Sequence, residues 1–394
     1  MTETLHDEAA RAGAAPAAID EAASALIFGA TQVKPRTIIN LHALQAVGPS
    51  LLNRDDLNAQ KIITQGGVTR VRISSQCWKR AMRTWIREQA VAGGAFAARS
   101  NRWPAAVAAV LSDNHGVDVD VATAKSTAVF KALGFKISDR GSTAAQIFAH
   151  QDTAVSIASV IAANLDQIGD TVEPGVVEQA RTALDVSNAI DLALCGRMLA
   201  EQPIAGRIDG ALSVDHPTSV DPAAIIEDFF TAVDDLASPG EAVSSNLGVS
   251  DLSAPVFYRT ACIDVDQLRR NLAGAQDPDA LTAASVAIVI EAFVHAVPSA
   301  KQHASNIGTL PSLLVASSGP ARLTAHNAFT APIRGENVVR DATTALFAIL
   351  SAQARFGSPQ IPIALAADPA AEQAIPAGVT TVASLGELTA AVTR

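Results

Sequence analysis

Cysteine is scarce in this chain: Cys77, Cys195 and Cys262 stand far apart among 394 residues and form no CxxC pair. An odd count without framework spacing excludes a disulfide scaffold and a thiolate metal site, and fits a reduced, cytoplasmic protein. Aromatic residues make up only 4%, with one tyrosine, and the RNP1 pattern of a base-stacking RNA reader is absent. The nucleotide and hydrolase fingerprints are missing too: no GxGxxG, no P-loop, no GxSxG and no HExxH. Eight histidines are scattered, the nearest two being His295 and His303. No metal and no cofactor is expected. No apolar run approaches the roughly 20 residues of a membrane helix. The first 33 residues carry five acids and only Arg11, without the basic start of a signal peptide. The expectation is a soluble cytoplasmic protein with no membrane partner. It opens on an acidic arm with one helix over Ile19–Phe28.

What is present begins with bulk. Hydrophobic residues reach 49% and charged ones only 17%, which excludes wholesale disorder. The length suits one large domain with insertions, or two domains. The net charge of −10 argues against a uniformly basic nucleic-acid binder, yet it conceals a split. Residues 34–102 carry twelve Lys or Arg (Lys34, Arg36, Arg54, Lys61, Arg70, Arg72, Lys79, Arg80, Arg83, Arg87, Arg99 and Arg102) against Asp55, Asp56 and Glu88. That segment is an electropositive island in an acidic protein.

Hydrophobic patterning organises the island. Thr37–Val47 reads as a strand, followed by a loop of about twenty residues, Gly48 to Thr69, long enough to be functional. Arg70–Ile73 reads as a short strand with Val71 and Ile73 in the core, leaving Arg70 and Arg72 together on the other face. Ser74 and Ser75 are N-cap candidates for a helix running to about Ala92. On that helix Lys79, Arg83, Arg87 and Arg80 fall within about 100° of one another, while Trp78, Met82, Trp85 and Ile86 fall opposite. Helices are expected at Ala105–Leu111, Thr143–Leu165 and Val176–Leu194, and strand character returns at Arg207–His216. A projecting arm over 217–256 precedes a strand at Val256–Asp264 and a helix at Leu281–Val297. A strand at Ser312–Ser317, a helix at Ala342–Ala354, a strand at Ile361–Ala366 and a helix near Leu385–Val392 complete an α+β pattern.

Converging cations beside Ser74, Ser75 and Gln76 at a helix start point to a nucleic-acid backbone rather than a solvated face, because each neutralised phosphate releases counterions. With so few aromatics, binding is expected to follow backbone more than bases. Other features have plainer readings. Trp78 and Trp85 belong to the apolar helix face. His42 sits on an apolar strand as a hydrogen-bonded structural residue. Asp55–Asp56 and Asp234–Asp235 are loop carboxylates that seldom converge on one metal.

The run IINLHALQAVGPSLLNRDDLNAQKIITQGGVTRVRISSQCWKRAMR over 38–83 resembles the opening of the backbone subunit of type I-E CRISPR Cascade, the CasC-type RAMP family. CGRM (195–198), DGALSVDH (209–216), FFTAVDDL (229–236), SSNLG (244–248), VFYR (256–259) and VPSAKQ (297–302) follow in the family's order. The resemblance implies a ferredoxin-like (RRM-like) palm, discontinuous over 37–100, 190–216 and 256–366. It implies helical fingers at 101–189, a β-hairpin thumb at 217–255 and a C-terminal segment at 367–394. The arm over 1–36 lies outside the family pattern. About six copies of such a subunit line a CRISPR RNA beside other Cascade subunits, each thumb displacing one base at intervals while target DNA reads the rest by pairing.

Carried onto this chain, the resemblance implies RNA-binding roles for Arg54 and Lys61 in the loop, and for Ser74, Gln76, Lys79, Arg80 and Arg83 in the palm; strand alternation adds Arg70 and Arg72 to the expected RNA-binding set. The resemblance adds Arg197 and Met198 against the displaced nucleotide, the wedging thumb residues Phe230, Thr231 and Leu247, and Lys301 near the target strand. No catalytic residue is implied. Two alternatives stay open: a metal-dependent RNA-cleaving RAMP subunit using Asp55 or Asp56, and a stand-alone single-strand RNA-binding protein.

Overall fold

Strand β1 (Ile38–Ala46) is buried over nearly its whole length, polar residues included. It lies at the centre of a sheet with strand order β13–β12–β11–β1–β10–β6. Its partners are β10 (Val256–Asp264) on one side and β11 (Leu313–Gly319) on the other, both antiparallel. Beyond them come β6 (Leu212–Val214), β7 (Thr218–Ser219), β12 (Ile363–Ala366) and β13 (Thr380–Thr381). The computed structural model describes residues 37–89, 91, 94–184, 189–197, 208–233, 244–356 and 361–393. The helix expected over Ile19–Phe28 lies outside them.

Helices cover both sheet faces, which is why β1 shows no exposed side. Ile39, Leu41 and Ala43 share one apolar cluster with Trp78, Met82 and Ile86 of α1 (Ser75–Glu88) and with Val289 and Phe293 of a long helix, Pro278–His295. Leu44, Tyr258 and Val315 share a second cluster with Leu346 and Phe347 of the helix Val338–Gln353. Helix Pro278–His295 is long and apolar enough, by length and composition alone, to cross a membrane. Here it is a core helix, with nine residues buried.

Most polar atoms of β1 find internal partners, as buried polar groups generally do, although His42 Nε2 and Gln45 Oε1 do not. Asn40 donates to the Ala321 carbonyl and accepts from the Leu323 amide. His42 Nδ1 lies 2.8 Å from the Tyr258 hydroxyl. On the opposite face, Arg259 is fully buried between the rings of Trp78 and Phe293, 4.4 and 4.7 Å from their centroids.

Departures from the sequence expectation have local causes. The end of the expected loop is a hairpin, β2 (Ile62–Gln65) with β3 (Val68–Val71), closed by Gly66 and Gly67 at φ of 62° and 75°. Both turn positions need the left-handed region that glycine enters freely. Cβ on Gly66 would also fall 1.9 Å from the Thr330 carbonyl oxygen. The expected helix Thr143–Leu165 begins only at Thr153, because β5 (Ile147–His150) pairs with β4 (Ala97–Ser100). Ala105–Leu111 lies within α2 (Trp103–His115). The unforeseen α3 (Val119–Ala132) is capped by Asp118. After α4 (Thr153–Ala163), the expected helix Val176–Leu194 becomes α5 (Pro174–Thr182) and α6 (Ile190–Cys195). Of Arg207–His216, only Leu212–Val214 is a strand. Residues Trp103 to Leu184 close around an apolar cluster of their own. The projecting segment is a two-stranded hairpin, β8 (Ile226–Val233) with β9 (Ser244–Leu252).

The neutral His42 makes stability depend on acid. Burial, with a smaller contribution from His326, lowers its pKa from 6.5 to about 4. The unfolded chain therefore takes the proton first, so this contribution is complete above pH 6.5 and is lost as pH falls toward 4. Urea midpoints measured from pH 7.5 down to 4.5 should decline through that window. In His42→Gln that proton-linked slope should shrink; an identical slope would mean that another group titrates.

Candidate nucleic-acid interface

The site is assembled by one loop, residues 47–61, tied at both ends. The Asn53 side-chain oxygen accepts from the Ser74 amide at 2.8 Å, joining the loop to the N-cap of α1. The Gln60 amide donates to Asp251 Oδ2 at 2.7 Å, joining it to the foot of the β8–β9 hairpin. Within the loop, Asp55 Oδ1 accepts from the Leu57 and Ala59 amides, both at 2.9 Å. Asp55 is thus an acceptor that shapes a turn. Arg54 is exposed, with Nη1 3.3 Å from Asn58 Oδ1.

Lys61, Ser74, Gln76 and Arg80 gather around the start of α1. Ser74 caps the helix by accepting from the Cys77 amide. Lys61 and Arg80 both act on the Cys77 thiol: burial pushes its pKa up, and these two cations pull it down. Gln76 and Arg80 are exposed. Beside them, His216 Nδ1 lies 2.9 Å from the Ser75 amide and 3.2 Å from Arg72 Nη1. By accepting from a backbone amide, His216 fills the helix terminus.

Other expected members are committed elsewhere. Arg70 is buried, donating to the carbonyls of Ser219 at 2.7 Å and Phe329 at 3.1 Å. The face it was expected to present to solvent is covered, since Thr69 accepts from the Ala223 amide and Val71 donates to Ser219 Oγ. Lys79 Nζ donates to the Leu212 carbonyl at 2.7 Å. Arg83 pairs with the buried Asp191 at 2.6 Å and donates to the Ala97 carbonyl. The cationic stripe read on α1 is therefore largely a set of anchors, with Arg80 and Arg87 left exposed. Arg197 is 5% exposed, Nη1 reaching the Phe148 carbonyl at 3.5 Å, so it braces rather than presents a free cation. Met198 lies outside the described residues.

The hairpin carries exposed apolar side chains, Ile226, Phe229, Phe230 and Val249. Phe230 stands opposite Gly248. A Cβ there would lie 2.2 Å from its ring, so glycine lets the ring lie across the neighbouring strand. Lys301 joins this group: its Nζ meets Ser250 Oγ and lies 5.7 Å from the Phe230 ring centroid. Thr231 is exposed and pairs in register with Leu247, whose side chain lies outside the described set. Among the described residues, no cluster of three His, Cys, Asp or Glu could hold a metal ion.

Sequence reasoning missed Asn53, Asp191, His216 and Asp251. Asn53 and His216 stood inside quoted motifs, LNRDD and DGALSVDH, but nothing in the spacing gave their partners, which lie 21 and 141 residues away.

Residues 39–391 match the model of a family described as CT1975-like protein. A chain of a solved structure described as "CRISPR RNA-guided surveillance complex, pre-nicking" is similar at 26% identity and a TM-score of 0.78, covering 90% of this chain and 99% of that one. A chain described as "CRISPR RNA-guided surveillance complex" is similar at 22% identity and a TM-score of 0.58, covering 90% and 98%. At that identity, the second likeness speaks to fold alone. No curated protein sequence matches the chain.

The pair holding Arg83 makes a direct test of anchoring. Asp191 is 1% exposed and also accepts from the Ala97 amide at 2.8 Å. Asp191→Ala should cost about 2–3 kcal/mol in urea unfolding, below the roughly 3–5 kcal/mol of a fully buried pair because Arg83 can turn to solvent. A loss under about 0.5 kcal/mol would mark the pair as a surface bridge of little worth.

Proposed function

The chain belongs to the CT1975-like protein family, and on that premise we propose that it is the guide-RNA-binding backbone subunit of a type I-E Cascade surveillance complex. Copies of it polymerise along a CRISPR RNA in the cytoplasm, alongside other Cascade subunits. The protein holds guide phosphates, the β8–β9 hairpin displaces bases at intervals, and the exposed guide bases pair with target DNA. Sequence is then read by pairing, and the protein reads backbone and shape.

The observation that carries this reading is the tied loop 47–61, which brings Lys61, Ser74, Gln76 and Arg80 and the apolar hairpin into one assembly. A projecting hairpin with Phe229 and Phe230 exposed is costly in water unless it meets a partner. A ferredoxin-like (RRM-like) palm is supported by spatial order β11–β1–β10–β6, with α1 after β1 and helix Pro278–His295 between β10 and β11. A separate fingers lobe is supported by the apolar cluster between Trp103 and Leu184.

We read the subunit as non-catalytic, since Asp55 already serves the backbone of its own loop. Labelled RNA complementary to the guide, incubated with the assembled complex and Mg²⁺, should stay intact. Periodic cuts lost in Asp55→Ala or Asp56→Ala would overturn this reading.

Binding should follow phosphates. Lys61→Ala with Arg80→Ala should weaken guide binding alike for all spacers, and reduce the slope of log K against log salt by about 1.4, roughly 0.7 per lost phosphate contact on a single strand. Spacer-selective loss, or an unchanged slope, would contradict a backbone cradle.

A further inference from the structure

The edge of α1 carrying Cys77, Arg80, Thr84 and Trp85 borders a groove of about 720 Å³. Its other wall is the chain following helix Pro278–His295, residues 296–300 and 307–310. That volume falls in the roughly 300–1,000 Å³ range of small-ligand pockets. Trp85 is half-buried and stacks on His295, with ring centroids 5.9 Å apart and planes inclined by 17°. His295 is exposed, so Trp85 covers one face of the imidazole and leaves the other open. Trp85 packs against the apolar core as the helix face predicts, and it also borders the groove.

The chemistry of the walls selects the occupant. An apolar peptide side chain would strip water from Arg80, Glu88 and Thr84 and return no hydrogen bond. A nucleobase supplies donors and acceptors at its edge and a π-face for stacking. Arg80 lies one turn along α1 from Gln76, so the groove opens beside the phosphate-binding end of the helix.

We propose that this groove is a nucleotide pocket, taking one unpaired base of a bound single-stranded RNA against the open face of His295 backed by Trp85. It rests on the RNA-binding reading above, and adds one base contact to a strand held mainly by its phosphates.

The test titrates the full-length chain with a short single-stranded RNA and with the same RNA made abasic. Unsubstituted protein should prefer the intact RNA by about 5- to 100-fold, the span that base–aromatic stacking provides. His295→Ala should lose most of that preference and keep its affinity for the abasic strand. His295→Phe, which retains a stacking face, should keep the preference. A preference unchanged in His295→Ala would overturn the pocket while leaving RNA binding intact. Equal loss of both RNAs in that variant would also overturn it, marking His295 as structural. No binding of either RNA by the unsubstituted chain would overturn the RNA-binding reading and the pocket together.

Discussion

A single buried cation fixes where α1 lies. Arg259 projects from β10 into the space beneath the helices, where Trp78 of α1 and Phe293 of the core helix Pro278–His295 close over its two faces. Its three guanidinium nitrogens have no hydrogen-bond partner there, and burial lowers its pKa to about 9 despite the nearby Asp215. Desolvating such a charge is costly, and the ring faces offset part of that cost, about 2 kcal/mol or more for a desolvated cation–π contact. The sheet, α1 and the core helix thus share one contact.

Around that anchor two populations of cations stand out among the described residues. Arg70, Lys79, Arg83 and Arg197 spend their donors on carbonyls or a carboxylate, tying strand to turn and helix to strand. Arg54, Arg80 and Arg87 remain exposed, and Lys61 is half-buried next to Arg80's field at Cys77. The electropositive island is therefore smaller at the surface than in the sequence: exposed charges lie around the tied loop and on α1, with Arg99 and Arg102 exposed beyond them. A net charge of −10 is compatible with such a local basic surface, since all but three of the 39 acids lie outside residues 34–102.

The loop couples two kinds of surface that seldom meet. At the Asn53 end it meets a helix terminus whose Ser74, Ser75 and Cys77 amides are already held by Asn53, His216 and Ser74, with Gln76 and Arg80 exposed beside it. At the Gln60 end it meets the foot of a hairpin that presents Phe229, Phe230 and Ile226 to solvent. Lys301 holds that hairpin through Ser250 and the Phe230 ring, from a backbone at φ of 52°. Non-glycine residues rarely adopt that region, so the surrounding contacts must favour it. Charged and apolar surfaces are thus linked by short side-chain contacts rather than by a shared secondary element.

Much of the architecture was legible in the chain. Period-two and helical spacing located β1, β10, α1 and the last helix, and the QGG run already contained the turn of the β2–β3 hairpin. The ordered motifs pointed to a Cascade-type CRISPR protein, because they record local backbone needs and packing positions that survive in one dimension. Solvent exposure was not legible. Alternation correctly separated Arg70 and Arg72 from Val71, but could not reveal that residues 217–223 and the turn at Phe329 would cover that second face. Helical geometry aligned Lys79 with Arg83, but could not supply Asp191, 108 residues away, as the partner. The same distance problem hid the Trp85–His295 stack. The sequence by itself determined which residues are charged, apolar or turn-forming, and hence the elements and the family. Only the tertiary structure decided which cations stay free, because that depends on carbonyls and carboxylates brought from remote segments.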